Sequence, residues 1–398
     1  MSNRQSRRIL TINTGSSSLK AALYDLDSEE RLHISAQVER IGLSGSRLRI
    51  ADDSGATLLD ERRDLSDHAA GLQMVFDGLR QRQLDSNLDA IGHRVVHGGS
   101  RYSEPHLIDA NLLNALQGLV SIDPDHLPQA ISAIQSAQRA YPALPQVACF
   151  DTAFHRSMPR VAQLYALPRR LADEGVLRYG FHGLSYEYIL RALRKEDAGA
   201  ADGRVIIAHL GNGASMAAAQ GGASVETTMG FSPTGGLVMG TRSGDLDPGV
   251  LLYLLAAQGM DAATVSKVVN HQAGLLGVSG TSADMRDLLE REASDPRAAE
   301  AIALFCYQAK KFLGALAAAL GGLETLIFTA GIGERAAVVR QRICAGLEFL
   351  GITLDPARNE AHAPIISRDG GPAVVRVMQT NEDLMIARHT YRLLSRGN

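Results

Sequence analysis

Ile9-Leu10-Thr11-Ile12-Asn13-Thr14-Gly15-Ser16-Ser17-Ser18-Leu19-Lys20 and Val205-Ile206-Ile207-Ala208-His209-Leu210-Gly211-Asn212-Gly213-Ala214-Ser215-Met216 share one plan. Each is an apolar run, a short turn of Gly, Ser or Asn, and a second strand-like run. Glycine tolerates backbone shapes that other residues resist and lets a ligand come close. Small residues leave successive N–H groups able to line an anion-binding concavity. Two such hairpins in different halves of the chain predict two lobes that clamp one polyphosphate.

Outward from the first hairpin, Leu32 to Leu59 alternates, with turn signals at Gly42, Gly45 and Gly55, and predicts an antiparallel extension of the sheet. Helical spacing at 67–83, 109–119 and 128–140, with strands at 88–96 and 146–150, completes the first half. The second half predicts helices at 249–258, 261–270, 282–291, 296–320, 335–348 and 383–395. Strands are expected there at 325–330, 351–354 and 373–380. Strands alternating with helices indicate α/β layers.

The 398 residues suffice for two or three domains with large cores. With 45% hydrophobic and 21% charged residues, the composition is that of an ordinary soluble globular protein. A net charge of −3 supplies no basic field for nucleic acid or an anionic membrane, so neither is expected as a partner. Cys149, Cys306 and Cys344 are far apart and form no CxxC, which suits a reducing cytosol. The apolar stretch Phe312 to Leu323 is too short to span a bilayer and reads as a buried helix.

Several short motifs stand at predicted strand ends, where ligands of open α/β sheets gather. His93-Arg94-Val95-Val96-His97-Gly98-Gly99 offers an Arg fork for carboxylate or phosphate. Phe150-Asp151-Thr152-Ala153-Phe154-His155 places an acid at another strand end. Arg178-Tyr179-Gly180-Phe181-His182-Gly183 puts a His in a Gly-flanked turn, although a lone His is usually structural. Met239 to Pro248 is a Gly-rich polar loop whose Arg242 can meet an anion. In Thr380-Asn381-Glu382-Asp383, helix capping alone would explain the acids. A Mg²⁺ role is the sharper alternative, because Mg²⁺ commonly uses one or two carboxylates plus phosphate oxygens.

Together these segments resemble the acetate kinase family, part of the superfamily of sugar kinases, heat-shock chaperone ATPases and actin. The resemblance is carried by residues 12–20, 93–99, 150–155, 179–186, 209–213, 239–248, 331–334 and 380–387, from one end of the chain to the other. It implies an α/β fold of two actin-like (ribonuclease H-like) lobes, each a mixed sheet flanked by helices, with a central ATP and substrate cleft. The first lobe would be 1–151 plus 386–398, and the second, 152–385, would carry most nucleotide contacts. The implied activity is reversible transfer of the γ-phosphoryl of ATP to a short carboxylate, acetate first, by a cytoplasmic homodimer.

Carried over by position, the resemblance makes Asp151, His182 and Arg242 catalytic, and gives the substrate Arg94, Val96 and Pro233. Lys20, His209, Leu210, Gly211, Asn212, Gly213, Asp284, Met285, Arg286, Gly331, Ile332, Gly333, Glu334 and Arg335 would contact ATP. Asn13 and Glu382 would hold Mg²⁺, with Mn²⁺ as a substitute. The chain departs from the family at Asp125-His126-Leu127-Pro128, where an apolar residue followed by His-Asn-Pro is usual. It departs again at Thr234-Gly235-Gly236, where Leu-Glu-Gly is usual, so acyl-group preference is open.

Two other readings compete. Gly331-Ile332-Gly333-Glu334-Arg335-Ala336 fits the loose dinucleotide fingerprint, with Asp355 at the distance of a ribose contact. That would make a Rossmann oxidoreductase, but it leaves the twin hairpins unexplained. A non-enzymatic ATP switch would share the hairpins, but has no need of Arg94, His182 and Arg242. No GxxxxGK[ST] occurs, which excludes a P-loop.

Overall fold

The computed structural model describes residues 6–15 and 17–396; Ser16, part of the first hairpin read from the sequence, lies outside the described residues. One compact unit runs to Ala153 and resumes at Asn381; the other spans Phe154–Thr380. The sequence reading returned the chain to the first unit only at residue 386. The helix Glu382–Arg396 packs along its length on the first unit's sheet, so the return starts before its first turn.

In the first unit, β1 (Arg7–Thr14), β2 (Ser18–Leu26), β3 (Glu30–Glu39), β4 (Arg47–Asp52), β5 (Thr57–Arg62), β6 (Ala90–Val95), β7 (His106–Leu107) and β8 (Gln146–Phe150) form one sheet. Its order is β5-β4-β3-β2-β1-β6-β8-β7. Side-chain alternation sorts β2 onto two faces. Leu19, Ala21 and Leu23 join the core that contains Leu72, Val75 and Phe76 of the helix His68–Gln81. Ala22, Tyr24 and Leu26 turn the other way and pack with Ala387 of the C-terminal helix.

The second unit holds β9 (Arg204–Leu210), β10 (Ala214–Gln220), β11 (Ala223–Thr227), β12 (Thr325–Thr329) and β13 (Val374–Val377), ordered β11-β10-β9-β12-β13. The shared plan of the sequence is visible in these orders. β3-β2-β1 and β11-β10-β9 are both antiparallel, and β1-β6-β8 and β9-β12-β13 are both parallel.

The apolar helix Pro296–Leu320 starts at a sharp signal: Asp295 accepts from the N–H groups of Arg297 and Ala298, and proline occupies the first turn. It ends at Gly321 with φ 69°. Among the described residues it is the one helix long and apolar enough to cross a membrane, yet Ile302, Phe305, Leu313 and Leu316 are buried within the unit.

Two local expectations are corrected. Residues 351–354 form no strand; Leu354 makes a single bridge to Ser367. The glycine turn after β12 is itself a helix, Ala330–Arg335, followed by a second helix, Ala337–Cys344. The corner is made by Ala330, a non-glycine residue held at φ 65°. The Rossmann reading fails on two counts. The sheet is mixed, and Asp355 accepts from the Arg358 N–H to cap the helix Pro356–Glu360.

Candidate active site

At the ends of β1, β6 and β8 the first unit concentrates charge. Arg94 donates from Nε to both Asp151 oxygens at 3.0 Å and from Nη2 to Oδ2 at 2.5 Å. Its Nη1 donates to Asn13 Oδ1 at 3.1 Å and lies 3.6 Å from Glu382 Oε2, which accepts from Asn13 Nδ2 at 3.1 Å. The Asp151 side chain is fully buried. Burial pushes its carboxyl up, and Arg94 opposes the shift. For Arg94, burial works against the charge, while Asp151 and Glu382 raise its pKa.

The capping alternative for the acids at 382 and 383 is answered directly. Asn381 Oδ1 accepts from the Leu384 N–H and supplies the cap, while Glu382 turns to Asn13. Asp383 was read beside Glu382 as one of two acids at this helix start but was not assigned to the metal site. Its Oδ1 is buried without a hydrogen-bond partner, and burial pushes its carboxyl up to about 6 against the pull of Lys20. The signal was present as a second acid beside Glu382, but helix capping explained it equally well. Lys20 itself is exposed and lines, with Gln37, Arg49 and Asp383, an open cavity of about 390 Å³. Val96 is buried within the same unit.

Asp125 sits half-buried in the turn before the helix Leu127–Ala140. His126 Nδ1 lies 2.7 Å from buried Asp123 Oδ1. Leu127, standing where the resembling family has Asn, is a core residue packed with Phe150 and Tyr102.

In the second unit His182 stands at φ 60°, just before the helix Gly183–Glu196. His155 supports this corner: one ring nitrogen meets Ser224 Oγ and the other the Phe181 carbonyl. Gly180 at φ 72° lies against the His155 ring, which a side chain there would strike at 2.6 Å. His182 Nδ1 meets Ser215 Oγ at 2.8 Å, and its ring stacks on His209 with centroids 4.1 Å apart. A Cβ added to Gly213 would lie 3.5 Å from His182 Nε2 and 3.7 Å from Arg242 Nη1. Thus an imidazole and a guanidinium converge on the backbone of the glycine turn, while Arg242 Nη1 is steadied by the buried Pro233 carbonyl at 2.9 Å.

Beside that turn lies a cavity of about 500 Å³ lined by Gly211, Asn212, Asp284, Met285, Arg286, Gly331, Ile332 and Arg335, among others. Asp284 also caps the helix Met285–Arg291 and pairs with Arg286 at 2.9 Å. Six expected nucleotide residues are not among those lining it: Lys20, His209, Leu210, Gly213, Gly333 and Glu334. Leu210 is fully buried. Gly333 sits inside the helix Ala330–Arg335, its carbonyl bonded to Arg340. His209 Nδ1 meets Ser185 Oγ. Glu334 Oε1 accepts from the N–H groups of Ala330, at 2.8 Å, and Thr380, at 3.4 Å, so it holds the strained corner together.

Arg340, missed by sequence reasoning, is fully buried and braces this turn from behind. It donates to the carbonyls of Gly333, Glu334 and Asn359, to Asn359 Oδ1, and to His362 Nδ1. Burial lowers its pKa, and neutral acceptors replace the water it has lost.

A doubled α/β sheet, two glycine turns, and an imidazole and a guanidinium converging on one of them are the arrangement expected of an ATP-dependent phosphotransferase. The sequence pattern of the acetokinase family matches residues 8–388, and the chain belongs to that family. The acetate kinase of Nitrobacter hamburgensis is 46% identical over 391 residues, 97% of this chain and 96% of that protein. The crystal structure of Porphyromonas gingivalis acetate kinase superposes with a TM-score of 0.86 at 36% identity, covering 98% of this chain and 100% of the other. A propionate kinase from Francisella tularensis subsp. tularensis superposes with a TM-score of 0.89 at 35% identity, over 96% and 98% of the two chains. The fold is accordingly that of the actin-like ATPases, and the chain is a kinase of the acetate kinase class.

Proposed function

We propose that this protein transfers the γ-phosphoryl group of ATP to acetate, reversibly, giving acetyl phosphate and ADP by direct in-line displacement. The observation that carries the reading is the convergence of His182 Nε2 and Arg242 Nη1 on Gly213. A nucleotide switch has no use for it; a phosphoryl group in flight does. A carboxylate acceptor is already ionised at neutral pH, since free carboxyl pKa values lie near ~4. The barrier is the approach of one anion to another, which positioned cations and donors lower.

In this reading Arg94 receives the acid's carboxylate, with Val96 and Pro233 as apolar wall residues. Asp151 orients Arg94 through its bidentate contact and acts as an organiser rather than a base. His182 and Arg242 stabilise the transferring phosphoryl group, and the residues of the 500 Å³ cavity take the nucleoside. Asn13, Glu382 and Asp383 offer hard oxygen donors that fit Mg²⁺ or Mn²⁺, and the orphaned Asp383 Oδ1 supports the fit. Among the described residues no three His, Cys, Asp or Glu side chains form a metal cage, and Mg²⁺ requires none when substrate oxygens complete its shell. Bound there, Mg²⁺ would neutralise phosphate charge.

We place the enzyme in the cytoplasm, a reading supported by three buried cysteines that form no disulfide among the described residues. We also read it as a homodimer. The helix Pro248–Ala256 has no buried residue, and leaves Val250, Leu252, Tyr253 and Leu255 between 41% and 65% exposed. A second copy of the chain is the occupant proposed for this apolar face. Leu252→Lys is expected to convert dimer to monomer by light scattering; an unchanged mass would move the interface elsewhere.

The activity test is a hydroxylamine trap. Protein, Mg·ATP and one acid at a time are mixed, and hydroxamate is read out for formate, acetate, propionate and butyrate. Strong signal with acetate supports the reading. Signal mainly with propionate keeps the mechanism and moves the substrate. No signal from folded, ATP-binding protein overturns it.

A further inference from the structure

Two hydroxyl chains end on the stacked histidines of the second unit. Tyr186 OH makes a short bond to Ser215 Oγ, which meets His182 Nδ1 at 2.8 Å. Thr380 Oγ1 donates to Ser185 Oγ at 2.8 Å, and Ser185 Oγ meets His209 Nδ1 at 2.8 Å. Tyr186, Ser215 and Ser185 are fully buried. Each serine has one proton to give. In the second chain, Ser185 accepts from Thr380 and passes its own proton toward His209 Nδ1. In the first chain either hydroxyl can donate in the Tyr186–Ser215 bond, and a phenol-to-serine direction would give the same form.

We infer that Ser215 and Ser185, backed by Tyr186 and Thr380, are positioning residues that hold both imidazoles as neutral Nε2–H tautomers. A ring nitrogen that accepts a hydrogen bond carries no proton, so the other nitrogen must carry it. Two stacked rings 4.1 Å apart also disfavour a double positive charge. The consequence for His182 is directional. Its Nε2, the nitrogen facing Gly213, becomes a fixed N–H donor beside Arg242. Arg242 then supplies the charge and His182 a neutral, aimed hydrogen bond. No proton needs to leave or enter the imidazole during transfer. The kinetic part of this inference rests on the phosphotransferase reading; the tautomer part does not.

The test is ¹⁵N NMR of the full-length, histidine-labelled protein at neutral pH, with His182 signals identified by their loss in His182→Asn. Wild type is expected to show an unprotonated Nδ1 and a protonated Nε2 on both His182 and His209. Ser215→Ala should mix the tautomers of His182 while leaving His209 unchanged. It should also lower kcat by about 10-fold or more, as loss of an outer-shell orienting partner does, with ATP KM nearly constant. Ser215→Thr, which restores the hydroxyl, should recover both. Should Ser215→Ala fold poorly, Tyr186→Phe and Thr380→Val weaken each chain separately and should shift the two histidines one at a time. A wild-type His182 carrying a proton on Nδ1, alone or with Nε2, overturns the inference. So does a Ser215→Ala protein with unaltered His182 signals. A wild type with the expected tautomers but no acyl-phosphate synthesis would sink the kinase reading and leave the relay standing.

Discussion

The two units share a strand order but store different chemistry on it. At the strand ends of the first unit lies a cluster of full charges: Arg94, Asp151, Glu382 and Asp383. At the matching place in the second unit lie glycine backbone, two serine hydroxyls and two stacked imidazoles, with Arg242 as the charged member. The difference follows from burial. Charges held out of water need partners at bonding distance: Arg94 finds Asp151, Asn13 and Glu382, while Asp383 Oδ1 is left without a hydrogen bond. Neutral hydroxyl chains are cheaper to bury, and they fix direction rather than potential. The scaffold therefore determines where a site can stand and leaves its electrostatic character to a few side chains.

The contrast is most exposed to Asp151→Ala. Removing that carboxylate leaves a buried guanidinium without its principal partner, which typically costs about 3–5 kcal/mol. Urea unfolding should show that loss for transitions reporting the first unit, and turnover should nearly vanish. A loss below ~1 kcal/mol would mean that Glu382 and Asn13 suffice. Next in size, Arg242→Ala should lower kcat by about 10²–10³-fold with ATP KM little changed, as for other preorganised transition-state donors. If KM rises in step with a constant kcat, the second unit binds the ground state and the division of labour dissolves.

A smaller effect tests where the units agree. His93 in the first and His155 in the second are fully buried, and burial lowers both pKa values to about 4. A base whose folded pKa lies below its unfolded value of ~6.5 loses stability as pH falls through the interval between them. Stability is thus complete above pH ~6.5 and declines towards pH ~4, by up to about 3 kcal/mol for each histidine. The Asp383 carboxyl, pushed up to about 6, works the other way in the same window, so the histidine part is read as a difference: the urea midpoint of His155→Asn should fall less on acidification than that of wild type. A variant whose midpoint falls as steeply as wild type would contradict the sign. The smallest expected change is Asp125→Leu, which should shift preference towards longer acids by a few-fold, the scale of one or two methylene contacts. Unchanged acetate and propionate KM values would show that Asp125 takes no part in choosing the acyl group.

Much of this was legible in the chain itself. The hairpins at 9–20 and 205–216 carry enough β-branched and small residues to state their own conformation, and both strand pairs form there. Arg94, Asp151 and His182 were visible because glycines or strand ends set them apart from ordinary surface residues. The sequence also indicated the two-lobed α/β class, since strand and helix periods are local properties. Arg340 was not legible: in the sequence it stands in a short mixed helix beside Gln341 and Arg342, and only the fold buries it beneath the helix Ala330–Arg335. Ser215, Tyr186 and Ser185 were equally silent, because a serine's partner depends on which strand and helix meet above it. Asp355 looked like a ribose ligand until the fold set it to capping a helix. Local pattern determined the elements and the charged residues at their ends. Tertiary packing alone decided which polar atoms lose water, and hence which partners they must find.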